Sequence, residues 1–137
     1  DEARMEVLPD GDSFTEYDGK LVNGVDDCYI ADNKAGMAVT AEYKGFGGAV
    51  KVMIGIDADG KITGVKVTEH SETPGLGTKA ADPGYLKQYQ GVSEATADHI
   101  NDDANIDAVT GATITSNAVY GSVREALAQF KECGGVK

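Results

Sequence analysis

The sequence contains no tryptophan and only two histidines, two cysteines and three prolines in 137 residues. It also has no apolar run near the roughly 20 residues that a membrane-spanning helix needs, so none of it is predicted to cross a bilayer. The histidines, His70 and His99, are far apart, and the cysteines do not form a Cys-x-x-Cys pair. Metal sites usually combine such residues at short spacings. The sequence therefore offers no candidate metal ligands.

Basic residues are also scarce. Twelve lysines and arginines stand against 23 aspartates and glutamates, which gives a net charge of −11. A surface of this sign repels phosphate backbones and anionic lipid surfaces. We therefore expect no nucleic-acid partner.

The two cysteines, Cys28 and Cys133, lie near opposite ends of the chain. Whether such distant residues meet cannot be read from a sequence, because a disulfide requires a specific geometry. Two free thiols are the favoured interpretation. A disulfide is the alternative if the domain works outside the cytoplasm.

The length is typical of one domain with a hydrophobic core of its own. We divide it into a lead-in, residues 1–36, and a domain core, residues 37–137. A first strand is predicted at residues 28–31. A second is predicted where Met37, Val39, Ala41 and Tyr43 alternate along one face of the chain.

A β-hairpin is the firmest secondary-structure prediction. Residues 49–57 and 61–68 are rich in β-branched side chains, and Ala58-Asp59-Gly60 between them is typical of a turn. Gly64 shifts the alternation on the second strand and predicts a β-bulge there.

Two helices are predicted after the hairpin. A short one covers residues 85–89 and ends at Gly91. A longer one covers residues 117–130, because Val119, Val123, Leu127 and Phe130 recur at helical spacing.

The run Thr110-Gly111-Ala112-Thr113 lies just before the longer helix. At such a position free backbone N–H groups and the helix dipole favour an anion such as phosphate. The alternative is that Thr113, Thr115 or Ser116 simply caps the helix.

A glycine-rich loop lies between the hairpin and the short helix, and it reads Glu72-Thr73-Pro74-Gly75-Leu76-Gly77. Its glycines allow a flat ring to approach the backbone, with Leu76 as an apolar contact. A rigid connection with no ligand is the alternative. Phe46 and Gly47 belong to a further glycine-rich segment, for which a hairpin connection is favoured because its spacing fits neither a Rossmann turn nor a P-loop.

Together the two motifs resemble the covalent-FMN domain family, which includes the G subunit of the Rnf electron-transport complex and the C subunit of the sodium-translocating NADH:quinone oxidoreductase. Asp107 and the Thr-Gly-Ala-Thr run resemble the family's flavinylation motif, and residues 72–77 resemble its flavin-side loop. The resemblance implies that Thr113 carries FMN through a phosphoester. It implies that Phe46 and Gly47 are flavin contacts as well.

The whole sequence is therefore interpreted as an α+β domain, an antiparallel sheet with flanking helices, that holds one FMN. The resemblance implies electron relay within a membrane-bound, ion-translocating complex of the Rnf type, at the extracytoplasmic face and behind an N-terminal anchor. It also implies a flavin transferase and other redox subunits as partners, while the isolated domain is expected to be a monomer. No set of acid, base and nucleophile predicts a substrate reaction.

Two other functions stay open at this point. The chain is either a free-standing extracytoplasmic flavoprotein that serves an extracellular acceptor or a reductase, or a non-catalytic module that binds a ligand or partner reversibly.

Overall fold

The computed structural model describes residues 2–45, 48–70, 77–95, 99–103, 106–109 and 112–134. Within these residues five strands form one antiparallel sheet in the order β1-β2-β3-β4-β5. The strands are β1 (Phe14–Glu16), β2 (Val25–Ala31), β3 (Gly36–Lys44), β4 (Ala49–Asp57) and β5 (Ile62–Glu69). Every neighbour in the sheet is also the neighbour in sequence, so short connections suffice.

One described helix precedes the strands in sequence, and the others follow them. The α-helices are α1 (Glu2–Val7), α2 (Pro83–Leu86) and α3 (Thr113–Glu132). Three short 3-10 helices cover Gly77–Ala81, Lys87–Tyr89 and Ile100–Asp102. The predicted α+β fold, an antiparallel sheet with flanking helices, is confirmed.

The main core lies between α3 and one face of the sheet. Alternation on β3 and β4 places one apolar row of each strand under the helix. The buried residues of this interface are Met37, Val39, Ala41, Val50, Val52, Ile54 and Ile56 on the strands and Ala118, Val119, Val123, Ala126 and Leu127 on α3. Gly121 allows α3 to approach β3 closely, because a Cβ at this position would lie 2.5 Å from the Tyr43 ring.

The opposite face of the sheet is covered in part by α1. Its last residue, Val7, packs with Ala38 and Met53 and lies directly over two glycines of β4 and β5. The Thr63 hydroxyl donates to the Val7 carbonyl at 2.5 Å. This contact joins the start of the chain to the hairpin.

The hairpin prediction is confirmed almost to the residue, and the pairing shifts register between Gly55 and Ile56, opposite residues 62–64. The irregularity predicted at Gly64 is therefore confirmed. Three bounds differ from expectation. The strand predicted at residues 28–31 begins at Val25, the short helix ends as a 3-10 turn, and the long helix begins at Thr113 rather than residue 117. The short strand β1 was not predicted.

The contact of α1 with the sheet can be tested at Gly55. A Cβ on Gly55 would lie 2.0 Å from the Val7 carbonyl oxygen, a backbone atom that cannot rotate away. We expect Gly55→Ala to displace α1 and lower the free energy of unfolding by about 1–3 kcal/mol. Urea denaturation measures this change.

Gly84→Ala is the matched control. Gly84 is exposed, and its Cβ would meet only the Asp82 carboxylate at 3.1 Å. We expect a change within about 0.5 kcal/mol. Equal unfolding free energies for the two variants would contradict the close approach of α1.

Candidate functional site at the start of the long helix

The N-terminus of α3 carries no side-chain cap. Its N-cap residue is Ala112, with φ −135° and ψ 41°, and Thr113 is the first helical residue. The first N–H groups of a helix have no partner within the helix, and the dipole gives that end a partial positive charge. No acidic residue lies in the first turn. The 20-residue helix thus directs the N–H groups of its first turn toward the end at which Thr113 lies, with no side-chain cap from Ala112.

The capping interpretation is wrong, because none of the three candidate hydroxyls occupies the N-cap position. Ser116 is fully buried and has a different role. Its Oγ accepts a hydrogen bond from the Val109 N–H at 2.9 Å and donates to the Ala112 carbonyl at 2.8 Å. The Ala112 N–H also donates to the Val109 carbonyl at 2.9 Å. Ser116 therefore fixes the turn that leads into the helix.

The other two hydroxyls differ in exposure. Thr115 is 5 % exposed and lies on the buried side of the helix. Thr113 is partly exposed, and among the described residues its hydroxyl has no hydrogen-bond partner. Of the three hydroxyls, only that of Thr113 is accessible to an enzyme.

The peptide of Asp107 is held by the segment that follows the glycine-rich loop. Gln88 uses both ends of its side-chain amide, because its Oε1 accepts from the Asp107 N–H at 2.8 Å and its Nε2 donates to the Asp107 carbonyl at 2.9 Å. The Tyr85 hydroxyl donates to the same carbonyl at 2.7 Å. Burial raises the pKa of Tyr85, so this donor stays protonated at neutral pH. These bonds fix the start of the predicted motif.

A second segment supports the helix from the other side. The Asn117 Oδ1 accepts from the Ile100 N–H at 2.9 Å, and the Tyr120 hydroxyl donates to Asp103 Oδ2 at 2.7 Å. Ile100 itself is buried in the core. The first turns of α3 are therefore held against the sheet and against two loops.

Ala112, Thr113, Thr115 and Ser116 lie together at the start of α3, and Gly77 starts a 3-10 helix that contacts α3. Asp107 is bound by Gln88 and Tyr85, two residues before Val109, whose N–H donates to Ser116. The described residues do not include the other predicted positions, which are Phe46, Gly47, Glu72, Thr73, Pro74, Gly75, Leu76, Thr110 and Gly111. The connection next to Phe46 and Gly47 is a hairpin, as predicted, because Lys44 pairs with Ala49 and the Gly45 N–H donates to the Gly48 carbonyl at 2.7 Å.

Sequence reasoning missed Tyr85 and Gln88. No local pattern identifies them, because their partner, Asp107, lies about twenty positions further along the chain. Within the described ranges, no group of three or more His, Cys, Asp or Glu residues is placed to hold a metal ion. None of the helices described here has the length and apolarity required to cross a membrane.

The sequence is similar to those of known proteins. Residues 45–128 match the model of the FMN-binding domain family. The G subunit of the proton-translocating ferredoxin:NAD(+) oxidoreductase complex of Clostridium ljungdahlii is 37 % identical over 96 % of this chain and 71 % of its own length. The G subunit of the ion-translocating oxidoreductase complex of Methanosarcina acetivorans is 32 % identical over 92 % of this chain and 72 % of its own.

A solved structure shares the fold. The C subunit of the Na(+)-translocating NADH-quinone reductase from Parabacteroides distasonis superposes with a TM-score of 0.59 at 21 % identity. The match covers 79 % of this chain and 60 % of that one. At this identity the similarity shows a common fold.

The bonds from Gln88 and Tyr85 to the Asp107 peptide, here called the clamp, give a prediction for the site. Replacing Gln88 by Ala removes both amide bonds to Asp107, so we expect the free energy of unfolding to fall by about 1–2 kcal/mol. The Asp107 amide should exchange its proton at least about tenfold faster, since its acceptor is lost. Hydrogen exchange followed by NMR measures this rate.

Gln90→Ala is the control, because Gln90 is an exposed residue of the same segment. It should leave the exchange rate of the Asp107 amide unchanged. An unchanged rate in Gln88→Ala as well would show that the clamp does not protect this peptide in solution.

Proposed function

The chain belongs to the FMN-binding domain family, and we propose from this that it carries FMN as a phosphoester on Thr113 Oγ1. We further propose that it relays electrons as the G subunit of a membrane-bound, ion-translocating ferredoxin:NAD oxidoreductase complex. The redox chemistry belongs to the flavin, which takes up and releases electrons, while the protein binds and orients it.

The residues at the start of α3 fit a phosphoester. An ester phosphate on Thr113 keeps a negative charge, and the uncapped N–H groups of the first turn are donors for it. The absence of acidic residues from that turn removes a local source of repulsion. Ala112 places only a methyl group beside the ester.

The single observation that carries the choice of Thr113 is the difference in exposure among three neighbouring hydroxyls. Ser116 is fully buried with both a donor and an acceptor bound, and Thr115 is 5 % exposed. Thr113 is partly exposed and lies at the helix terminus itself. A transferase reaches Thr113 without unfolding the helix.

The transfer needs an activated flavin. Thr113 Oγ1 loses its proton and forms the new bond to phosphorus, while a phosphoanhydride bond of the donor breaks and its leaving group departs. We propose that the flavin transferase recognises Asp107 and the segment Thr110-Gly111-Ala112-Thr113. The clamp by Gln88 and Tyr85 holds the Asp107 end of that segment in one conformation.

The second motif is proposed to contact the flavin ring. Gly77 starts a 3-10 helix that contacts α3, so the loop of residues 72–77 ends beside the same helix that begins at Thr113. Phe46 and Gly47 are proposed as further contacts.

The relatives are subunits of membrane complexes by name, and this chain spans about 71 % of the first relative's length. We propose that an N-terminal helix outside these 137 residues anchors the domain at the extracytoplasmic face of the membrane. A covalent bond suits that location, because it prevents loss of the cofactor where free FMN is scarce. The other redox subunits of the complex are the proposed partners.

Variants of the three hydroxyls test the attachment. After co-expression with a flavin transferase, the parent protein should gain the mass of FMN less one water. Thr113→Ala should gain nothing, while Thr115→Ala should be modified like the parent. Thr113→Ser keeps a hydroxyl at the same position and should accept FMN. Intact-mass spectrometry distinguishes these outcomes.

Folding must be checked beside modification. Thr113 is not the N-cap and is only partly buried, so its truncation should cost no more than about 1 kcal/mol, which an ordinary domain tolerates. Far-ultraviolet circular dichroism of Thr113→Ala should match the parent. A flavin adduct on folded Thr113→Ala would refute the assignment. A parent protein that never gains the adduct, yet binds FMN reversibly, would indicate a binding module instead.

A further inference from the structure

The two cysteines of the chain meet at the far end of α3 from Thr113. We propose that Cys28 and Cys133 are a disulfide-forming pair that joins β2 to the end of α3 when the domain meets an oxidising environment. The inference does not depend on FMN, because the pair lies at the opposite end of the helix from the proposed attachment site.

The geometry brings both sulfur atoms into one cluster. Cys28 is fully buried on β2 under α3, with its Sγ 3.7 Å from the Met37 Sδ. Cys133 is the C-cap residue of α3 and packs against the same core. The Tyr17 N–H donates to the Cys28 carbonyl at 2.8 Å, and the segment that follows Tyr17 is bound by the Gln129 amide, which lies against the Cys133 Sγ. Burial and then the neighbouring Cys133 thiol raise the pKa of Cys28, in agreement with this proximity. The two cysteines, remote in sequence, therefore belong to one packed cluster at the end of α3.

Polar groups around Cys133 hold its side chain toward the core. Gln129 is fully buried, and its Nε2 lies 3.2 Å from the Cys133 Sγ. The same amide donates to the Lys20 carbonyl at 3.0 Å and accepts from the Val22 N–H at 2.6 Å. Burial and then the Cys133 thiol raise the pKa of Tyr17, which lies on the same segment. The segment before β2 is therefore fastened beside the pair.

Disulfide formation needs the sulfur atoms to approach to about 2 Å. Cys133 has the freedom to move, because it ends the helix and is followed by Gly134 with φ +76°. Cys28 lies in the middle of a paired strand and is fixed. The movement therefore falls on the helix terminus rather than on the sheet.

The order of reaction follows from exposure. Cys133 is partly exposed, so its thiolate attacks the disulfide of a donor and forms a mixed disulfide, releasing one thiol of the donor. The Cys28 sulfur then attacks the Cys133 sulfur and releases the second donor thiol. The two cysteines lose two protons and two electrons, and the donor disulfide is reduced by two electrons. Burial raises the pKa of Cys28, which makes this cysteine the slower, resolving partner.

The test uses the 137-residue protein with oxidised glutathione as the donor, at a mildly alkaline pH near the ordinary thiol pKa of about 8.5. The intact mass should fall by two hydrogens, and after denaturation iodoacetamide should label neither cysteine. Because the bond closes a loop of roughly 100 residues in the unfolded chain, the melting temperature should rise by about 10 °C and return on addition of dithiothreitol.

Single variants separate the pair from two independent thiols. Cys28→Ala lacks the resolving thiol and should stop at a glutathione adduct on Cys133. Cys133→Ser should stay unmodified while folded, because Cys28 is buried. Neither variant should show a melting temperature that depends on dithiothreitol.

Three results would overturn the proposal. The first is a parent protein in which both cysteines remain open to iodoacetamide after oxidation. The second is a parent that stops at a glutathione adduct, and the third is a disulfide that joins two molecules. Non-reducing peptide mapping of the parent protein distinguishes these results from an internal bond between Cys28 and Cys133.

Discussion

The packing of one long helix against one face of the sheet is the interaction on which the rest of the structure depends. Helix α3 spans 20 residues and covers β3 and β4, where the fully buried side chains are concentrated. Because the helix is packed along its length, each of its two ends is held in a definite environment, and the two environments differ. The start directs its first N–H groups toward Thr113, and the end packs Cys133 against the core cluster that contains Cys28.

The site is rigid for a related reason. Its loops place Ile100 and Ile106 in the core, and their backbone groups are bound by side chains of α3 and of the turn after the glycine-rich loop. Ser116 binds the turn before the helix, Asn117 binds Ile100, and Gln88 binds Asp107. A bound cofactor gains from such an arrangement, because the residues that orient it are held in place by their own contacts.

Local patterns in the sequence predicted much of the fold. The hairpin of β4 and β5, the irregularity beside Gly64 and the helix over residues 117–130 all follow from alternation, glycine placement and helical spacing. The first turn of α3 was not predicted, since Thr113, Thr115 and Ser116 give no apolar period. The buried Ser116 hydroxyl binds both Val109 and Ala112 at the entry to the helix, a contact that leaves no apolar period in the sequence.

The rest of the site could not be predicted from local sequence. The strand β1 has only three residues, too few to show alternation. The clamp on Asp107 and the meeting of Cys28 with Cys133 are contacts between remote segments, which only the packed fold brings together. The place of Thr113 just before a helix was predicted, whereas the structure makes it the first helical residue. Its exposure relative to Thr115 and Ser116 depends on the packed fold and cannot be predicted from the sequence.

The most direct measurement of the central claim is tandem mass spectrometry of the tryptic peptide that covers residues 88–124, taken from parent protein co-expressed with a flavin transferase. The account predicts that the FMN-derived mass is retained after denaturation. Fragments from the carboxyl end that begin at Thr113 should carry it, whereas those that begin at Ile114 should not. The added mass on fragments that lack Thr113, or complete release of the flavin on denaturation, would contradict the account.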